Sequence, residues 1–391
     1  MNLKEKGFNT ICTHYGELED KQFKGAVSPI YMSTSYAFED VDIKRYPRYF
    51  NTPNQQALSK KIAKLEHAES GLIFGSGMAA ISTAMFAFLQ QGDHVLLQRN
   101  LYGGTINLVL EEFKKFGIEH TFVDAKNAEG FQDHMKSNTK IIYIETPSNP
   151  LLTITDIESI ANLAKSKGII TMIDNTFASP VNQNPILLGI DIVIHSATKY
   201  LGGHSDILAG TVVSSEEKME QIFKMAINFG GSLSDFTVWM LERSIKTLGL
   251  RVKQQNENAM KMATYLLKND DIAAVYYPGL ETHPDHKIAK KQMKGFGGML
   301  SFELKENLNA SFFQKKLQLI KSSMSLAGVE STILSPTLTS HSLLSEEERY
   351  NQKIRNGLLR FSVGIEETED LINDIEQALK EVKKEQLSIP T

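Results

Sequence analysis

The sequence predicts an α/β fold, with a mostly parallel central sheet flanked by helices and a smaller C-terminal α+β domain. Three observations carry that expectation. Between about residues 55 and 215, short apolar runs alternate with helical patterns. After about residue 235 the alternation gives way to long helical material and then to strands and helices mixed. An apolar content of 41% over 391 residues can fill a sizeable core shared by two or three structural units.

The elements follow in chain order. The first fifty or so residues are irregular and rich in aromatics, which predicts an arm over 1–54 rather than a domain. The runs "SGLIFG", "DHVLLQ", "IEHTFVDA", "TKIIYIET", "GIITMID" and "IDIVIHS" each stop at a polar or glycine-containing turn. Runs apolar on both faces and separated by helices indicate parallel strands covered on both sides. The segment "TDIESIANLAKSKG" reads as a crossover helix. Thr155 and Glu158 have capping-box spacing, Ile157, Ile160, Ala161 and Ala164 line one face, Lys165 and Lys167 sit near its negative end, and Gly168 permits the exit. From Asp235 to Leu267 only Gly249 interrupts a long helical pattern, which reads as a bridge into a second unit. Beyond it, "GGMLSFEL" and "GLLRFSVGI" read as strands, and "EETEDLINDIEQALKEVKK" as a final helix with acids first and lysines last. The expected domains are 1–54, an arm; 55–245, a large domain; and 246–391, a small C-terminal domain.

Composition removes several classes of function. Lys plus Arg is 42 against 46 for Asp plus Glu, a balance of −4, so there is no bulk electrostatic reason to bind nucleic acid or an anionic membrane. The lone Cys12 rules out an internal disulfide and a cysteine-based zinc cluster. No apolar stretch approaches a bilayer span, and the N-terminal residues lack the apolar core of a signal peptide, so a cytoplasmic location is expected.

The chemistry-bearing residues gather where strands should end, which is where open α/β sheets bind ligands. Asp174 closes one apolar run, and Ser196, Thr198 and Lys199 follow another. In an extended segment the two hydroxyls point to one side and the lysine to the other. In "FGSGMAAI" a strand meets an apolar helix, so the backbone N–H groups of Gly77 and Met78 form an anion site at a positive helix end. In "NLYGGT", Tyr102 stands beside glycines that allow close approach to something flat; "ETPSNP" leaves Glu145 and Asn149 at the same rim; "GLLRFSVGI" buries Arg360, whose planar fork suits a carboxylate. Taken singly, each has a plainer reading as a turn, a packed aromatic or a capped helix. Together they fit pyridoxal 5'-phosphate (PLP): a lysine to condense with the aldehyde, a carboxylate to keep the ring nitrogen protonated, hydroxyls and a helix start for the phosphate.

The chain also resembles, over nearly its whole length, the cysteine/methionine-metabolism enzymes: cystathionine γ-synthase, cystathionine β- and γ-lyases, methionine γ-lyase and O-acylhomoserine sulfhydrylases. The resemblance runs through "YPRYFNTPNQQAL", "FGSGMAAI", "NLYGGT", "ETPSNP", "IDNTF", "HSATKYLGGHSD", "AGTVV", "YPGLETHPDHKIAKKQMKGFGGMLSFEL", "GVES" and "LRFSVGIE". It implies fold type I, aspartate-aminotransferase-like, and a homotetramer built from active dimers. It also implies that Tyr46 and Arg48 reach the cofactor phosphate of a neighbouring subunit, Tyr102 stacks on the ring and exchanges protons, and Asn149 sits beside the ring hydroxyl. By the same resemblance Arg360 clamps the substrate α-carboxylate, Ser331 restrains lysine or substrate, and Glu330 contacts the far amino group. The implied activity is carbon–sulfur cleavage of a sulfur amino acid such as cystathionine, giving a thiol, ammonia and a 2-oxo acid, with γ-replacement on a homoserine ester as the alternative. Methionine γ-lyases carry a cysteine two residues past the tyrosine, where this chain has Gly104, which argues against that member. Arg45 stands where cystathionine γ-lyases carry an acid, which counts against that one. Two other classes remain: a metal hydrolase using His195, His204, His283 and His286, and a non-catalytic binding protein on the same fold.

Overall fold

A computed structural model describes residues 6–339, 346–351 and 353–388. The chain divides into two compact units, Met1–Thr146 with Thr155–Leu250, and Pro147–Ile154 with Arg251–Thr391.

In the first unit the helices are α1 (Phe8–His14), α2 (Pro53–Leu65), α3 (Gly77–Phe86), α4 (Gly103–Asn107), α5 (Ala128–Gln132), α6 (Ile157–Lys167), α7 (Ser179–Asn182), α8 (Glu216–Phe229) and α9 (Asp235–Ile245). They accompany β1 (Ser70–Phe74), β2 (His94–Gln98), β3 (Glu119–Val123), β4 (Thr139–Glu145), β5 (Ile170–Asp174), β6 (Ile192–His195) and β7 (Gly210–Ser214). The sheet order is β1-β7-β6-β5-β4-β2-β3. Strands β3, β2, β4, β5 and β6 pair in parallel, as the two-sided apolar runs predict, whereas β7 is antiparallel to both β6 and β1. The six apolar runs leave β7 out. Its orientation follows from its connection, because no helix separates His195 from Gly210 and a parallel return would need a crossover. That helix-free connection carries Lys199.

Two details of the sequence reading change. The cap of α6 is Asp156, whose side chain accepts the Ser159 N–H at 3.1 Å, and not Thr155; Thr155 is turned inward and donates to Gln98. The α6 exit at Gly168 is left-handed, as expected. The long helical stretch breaks at Lys246–Thr247 rather than at Gly249, which lies inside α10 (Leu248–Leu267). Glycine serves there as a contact surface, since a Cβ would stand 2.0 Å from Asn9 Oδ1 of α1.

The core of the first unit lies between α3 and one face of the sheet, where Ala80, Ile81, Ala84 and Met85 meet Phe74, Leu97, Tyr143, Met172, Ile194 and Val212. The second unit holds β8 (Ile272–Tyr276), β9 (Met299–Leu304), β10 (Lys321–Ser322), β11 (Thr332–Leu334) and β12 (Leu358–Ser362), in the order β10-β11-β12-β9-β8. Helices α11 (His286–Gln292), α12 (Ala310–Lys316), α13 (Glu346–Asn351) and α14 (Thr368–Ser388) complete it, giving the expected mixture of strands and helices. No helix among the described residues is long and apolar enough to cross a membrane.

Candidate active site

Strands β4 and β5 end on a register pair, Glu145 with Asp174, and Asp174 is in turn paired with Ile194 of β6. In-register residues of parallel strands share a face. Asp174 and Glu145 therefore sit on the α3 side, above an apolar floor that includes Tyr143 and Met172. Asp174 is buried, and burial pushes its pKa above the usual aspartate value, against hydrogen bonds from Thr176 and the charges of His195 and Lys199. The Thr176 N–H donates to Asp174 Oδ1 at 3.0 Å, and Thr176 Oγ1 accepts the Ser196 N–H at 2.8 Å. One threonine thus ties the carboxylate to the segment that carries Lys199.

That segment is a turn, not the extended strand end expected from sequence. The Lys199 N–H donates to Ser196 O at 3.1 Å, Gly202 N–H to Ala197 O at 2.8 Å, and Gly203 N–H to Lys199 O at 2.7 Å. Alternation of side chains holds only while strand pairing lasts, and the β6–β7 pairing ends at His195 with Thr211. The two hydroxyls accordingly differ in their surroundings. Thr198 Oγ1 is bonded to the backbone of Ala209, accepting its N–H at 3.1 Å and donating to its carbonyl at 3.2 Å. Ser196 instead faces α3.

At the start of α3 the Ser76 side chain accepts the Ala79 N–H, leaving the Gly77 and Met78 N–H groups unbonded among the described residues. A Cβ on Gly77 would lie 2.9 Å from Ser196 Cβ and 3.1 Å from its Oγ. Glycine is what lets this helix start press against the Ser196 turn. Tyr102 precedes α4, donates its N–H to Glu145 Oε2 at 2.7 Å, and leaves its side chain half exposed. A Cβ on Gly104 would fall 2.5 Å from Tyr102 Cε1 and 2.9 Å from Met78 Sδ, so the ring, Met78 and Gly104 are mutual neighbours. The first unit therefore brings together Gly77, Met78, Tyr102, Asp174, Ser196, Thr198 and Lys199. These residues fit PLP: two outward N–H groups beside a serine for the phosphate, a buried carboxylate for the ring nitrogen, an aromatic face and a half-buried lysine.

In the second unit Arg360 lies buried on β12. It donates from Nη1 to Asn149 Oδ1 at 3.1 Å and from Nη2 to Ser325 O at 3.0 Å, which brings two expected site residues into contact. Ser331 is gripped by Glu366, which accepts its N–H at 2.6 Å and its hydroxyl at 2.9 Å, while Ser331 Oγ accepts the Gly364 N–H. Glu330, beside it, is half-buried. Tyr46 and Arg48 do not join the Lys199 group of their own chain. The Arg48 guanidinium lies over the Tyr46 and Tyr49 rings at 5.6 and 5.0 Å and donates to Ile227 O. The four histidines considered as metal ligands each have a partner in the chain: His195 with Glu66, His204 with Gly202 O, His283 with the Asp285 N–H, and His286 with Pro278 O.

Thr176, Glu366 and Glu66 escape the sequence reading. Thr176 carried a signal, standing two residues after Asp174 where a short side chain can bond back; Glu366 reads as the first of the acids that open the final helix, and Glu66 as an ordinary acid.

The Cys/Met metabolism PLP-dependent enzyme family matches residues 9–380. The chain belongs to this family. Cystathionine beta-lyase MetC of Bacillus subtilis (strain 168) is 45% identical over 363 residues, covering 92% of this chain and 93% of that protein. L-methionine gamma-lyase of Fusobacterium nucleatum subsp. nucleatum is 40% identical over 398 residues, covering 98% and 100%. The crystal structure of cystathionine gamma-lyase from Lactobacillus plantarum complexed with L-serine superposes with a TM-score of 0.93 at 40% identity, covering 97% of this chain and all of that one. Membership makes PLP the cofactor of this chain and small amino acids its substrates. It also accounts for the mostly parallel sheet and the smaller second sheet.

Proposed function

We propose that this PLP-dependent enzyme cleaves the carbon–sulfur bond of cystathionine or a closely related sulfur amino acid, releasing a thiol, ammonia and a 2-oxo acid. The carrying observation is Thr176, which joins a buried Asp174 to the turn of Lys199. When bound, PLP supplies the electron sink that stabilises negative charge at the substrate Cα. Lys199 would hold the cofactor and move the Cα proton, and Asp174 would keep the ring nitrogen protonated. The Gly77 and Met78 N–H groups and Ser196 would bind the phosphate, and Thr198, whose hydroxyl proton goes to the Ala209 carbonyl, would line the same site. Tyr102 covers the ring and assists departure of sulfur, held in place through its N–H by Glu145. Asn149 orients Arg360, which would bind the α-carboxylate of the substrate, and Asn149 would serve the ring hydroxyl; Ser331 and Glu330 would contact the rest of the substrate.

Self-association belongs to the same reading. Phe23, Met32 and Phe38 of the 1–54 arm are strongly exposed, which supports burial against another copy. Tyr46 and Arg48 then serve a neighbouring subunit in a homotetramer of active dimers, with a large domain over 55–245 and a small one over 246–391, and the enzyme works in the cytoplasm.

Product analysis with cystathionine tests the activity. Pyruvate with homocysteine marks Cβ–S cleavage, and 2-oxobutyrate with cysteine marks Cγ–S cleavage; either supports the proposal, and the absence of any 2-oxo acid overturns it. Glu330 favours one second reading, γ-replacement, which the same assay detects as a new thioether from a homoserine ester and a thiol.

A further inference from the structure

Behind the strand ends lies a buried Glu–His contact that the roles above do not use. Glu66, at the end of α2, and His195, the last residue of β6, are almost wholly buried, with Nε2 and Oε1 2.6 Å apart. The same Oε1 accepts Asn175 Nδ2 at 2.9 Å, so it is a carboxylate oxygen and His195 is the donor. Glu66 Oε2 is buried with no hydrogen-bond partner among the described residues. Asn175 also donates to Gln183 O at 3.0 Å and accepts Gln183 Nε2 at 2.9 Å, and that Nε2 donates to Thr146 O at 2.9 Å. Side chains thereby lash together the ends of β4, β5 and β6. Asn175 and His195 lie one residue beyond the Asp174–Ile194 register pair, so pleating turns them to the face opposite Asp174.

Burying two polar side chains costs desolvation that offsets most of what their contact contributes, so the pair is a weak source of stability. Its place in the sheet gives it another use. We propose that Glu66 and His195 form a positioning pair that fixes the ends of β5 and β6 from the back of the sheet and, through Asn175, holds the neighbouring Asp174 carboxylate in place for the cofactor ring nitrogen. This rests on the assignment of Asp174 to the ring nitrogen. Glu145, the last residue of β4, and Lys199, in the turn after β6, are the other charged groups near these strand ends.

The test uses the holoenzyme loaded with PLP labelled with nitrogen-15 in the ring, with the variants His195→Gln, Glu66→Gln and the double variant. Each single change keeps an amide near the lost group. The expected result is that both single variants move the ring-nitrogen resonance toward the unprotonated position. PLP dissociates about tenfold more readily, equivalent to one pKa unit, and the double variant is no worse than either single one. Variants that melt at lower temperature but keep the wild-type resonance and affinity overturn the pair and leave a structural role only. Should His195→Gln fail to fold, the nearly isosteric Glu66→Gln carries the same test. A wild-type ring that is itself unprotonated overturns the Asp174 assignment and this inference together, whereas a protonated wild-type ring with unmoved variants overturns this inference alone.

Discussion

Replacing Gly77 with alanine tests whether the start of α3 is the anion cradle. The new methyl would lie 2.9 Å from Ser196 Cβ and 3.1 Å from both Ser196 Cα and Oγ. Ordinary carbon contacts are about 3.5–4.0 Å, so α3 and the turn must part by roughly half an ångström to one ångström. Overpacking of this kind costs about 1–3 kcal/mol. The separation also pulls the Gly77 and Met78 N–H groups away from a point they share with Ser196, and hydrogen bonds to a charged group are worth about 1.5–3 kcal/mol each. Loss of one such bond is a weakening of about tenfold or more at roughly 1.4 kcal/mol per decade. The expected outcome is a dissociation constant for PLP raised at least tenfold in an absorbance titration of the cofactor-free protein. Gly71→Ala is the control. Its methyl would be equally crowded, 3.0 Å from Val213 Cγ1, but lies near the opposite end of β1. It should lower the melting temperature and leave PLP affinity intact. If Gly77→Ala binds PLP as the wild type does, or if Gly71→Ala loses as much affinity, the cradle assignment is wrong.

Other outcomes follow from buried titratable groups. Burial raises the pKa of Asp174 in the folded chain, so its contribution to stability is present at low pH and lost as pH rises through the folded value. At neutral pH the carboxylate is a cost, and Asp174→Asn should bind PLP weakly while its cofactor-free form melts at or above the wild-type temperature; a lower melting point with intact PLP binding contradicts this. His94 is buried with its ring nitrogens 2.8 Å from Thr139 Oγ1 and 3.0 Å from Thr121 Oγ1, and burial lowers its pKa from 6.5 to about 4. The unfolded chain then binds the proton first, so stability is full above pH 6.5 and falls as pH drops toward 4, by about 2 kcal/mol between pH 7 and pH 5. His94→Gln should flatten that acid branch in urea denaturation, and an unchanged slope would contradict the assignment.

How far the sequence could be read depended on whether a signal was local. Strands β2, β4, β5 and β6 were legible because they are buried almost throughout and largely apolar, and the edge strands β1 and β3 because their runs stop at turns in the same rhythm; β7, after a turn instead of a helix, broke that rhythm. Asp174, Lys199 and the glycine of α3 were legible because strand ends and helix starts are encoded by neighbours in the chain. The direction of Ser196, Thr198 and Lys199 was not, since it depends on where pairing with β7 stops. Thr155 and Asp156 compete for one cap, and the winner is decided by Gln98, which draws Thr155 inward from 57 residues away. Glu66 and His195 are 129 residues apart and meet only when α2 and β6 pack, so no spacing rule could have joined them.

The measurement that bears most directly on the central claim is borohydride reduction of the PLP-loaded protein followed by mass mapping of its peptides. A phosphopyridoxyl group carried by Lys199, with neither the label nor the cofactor absorbance retained in Lys199→Ala, is the expected result. Label on another lysine, or full absorbance without Lys199, would contradict the account.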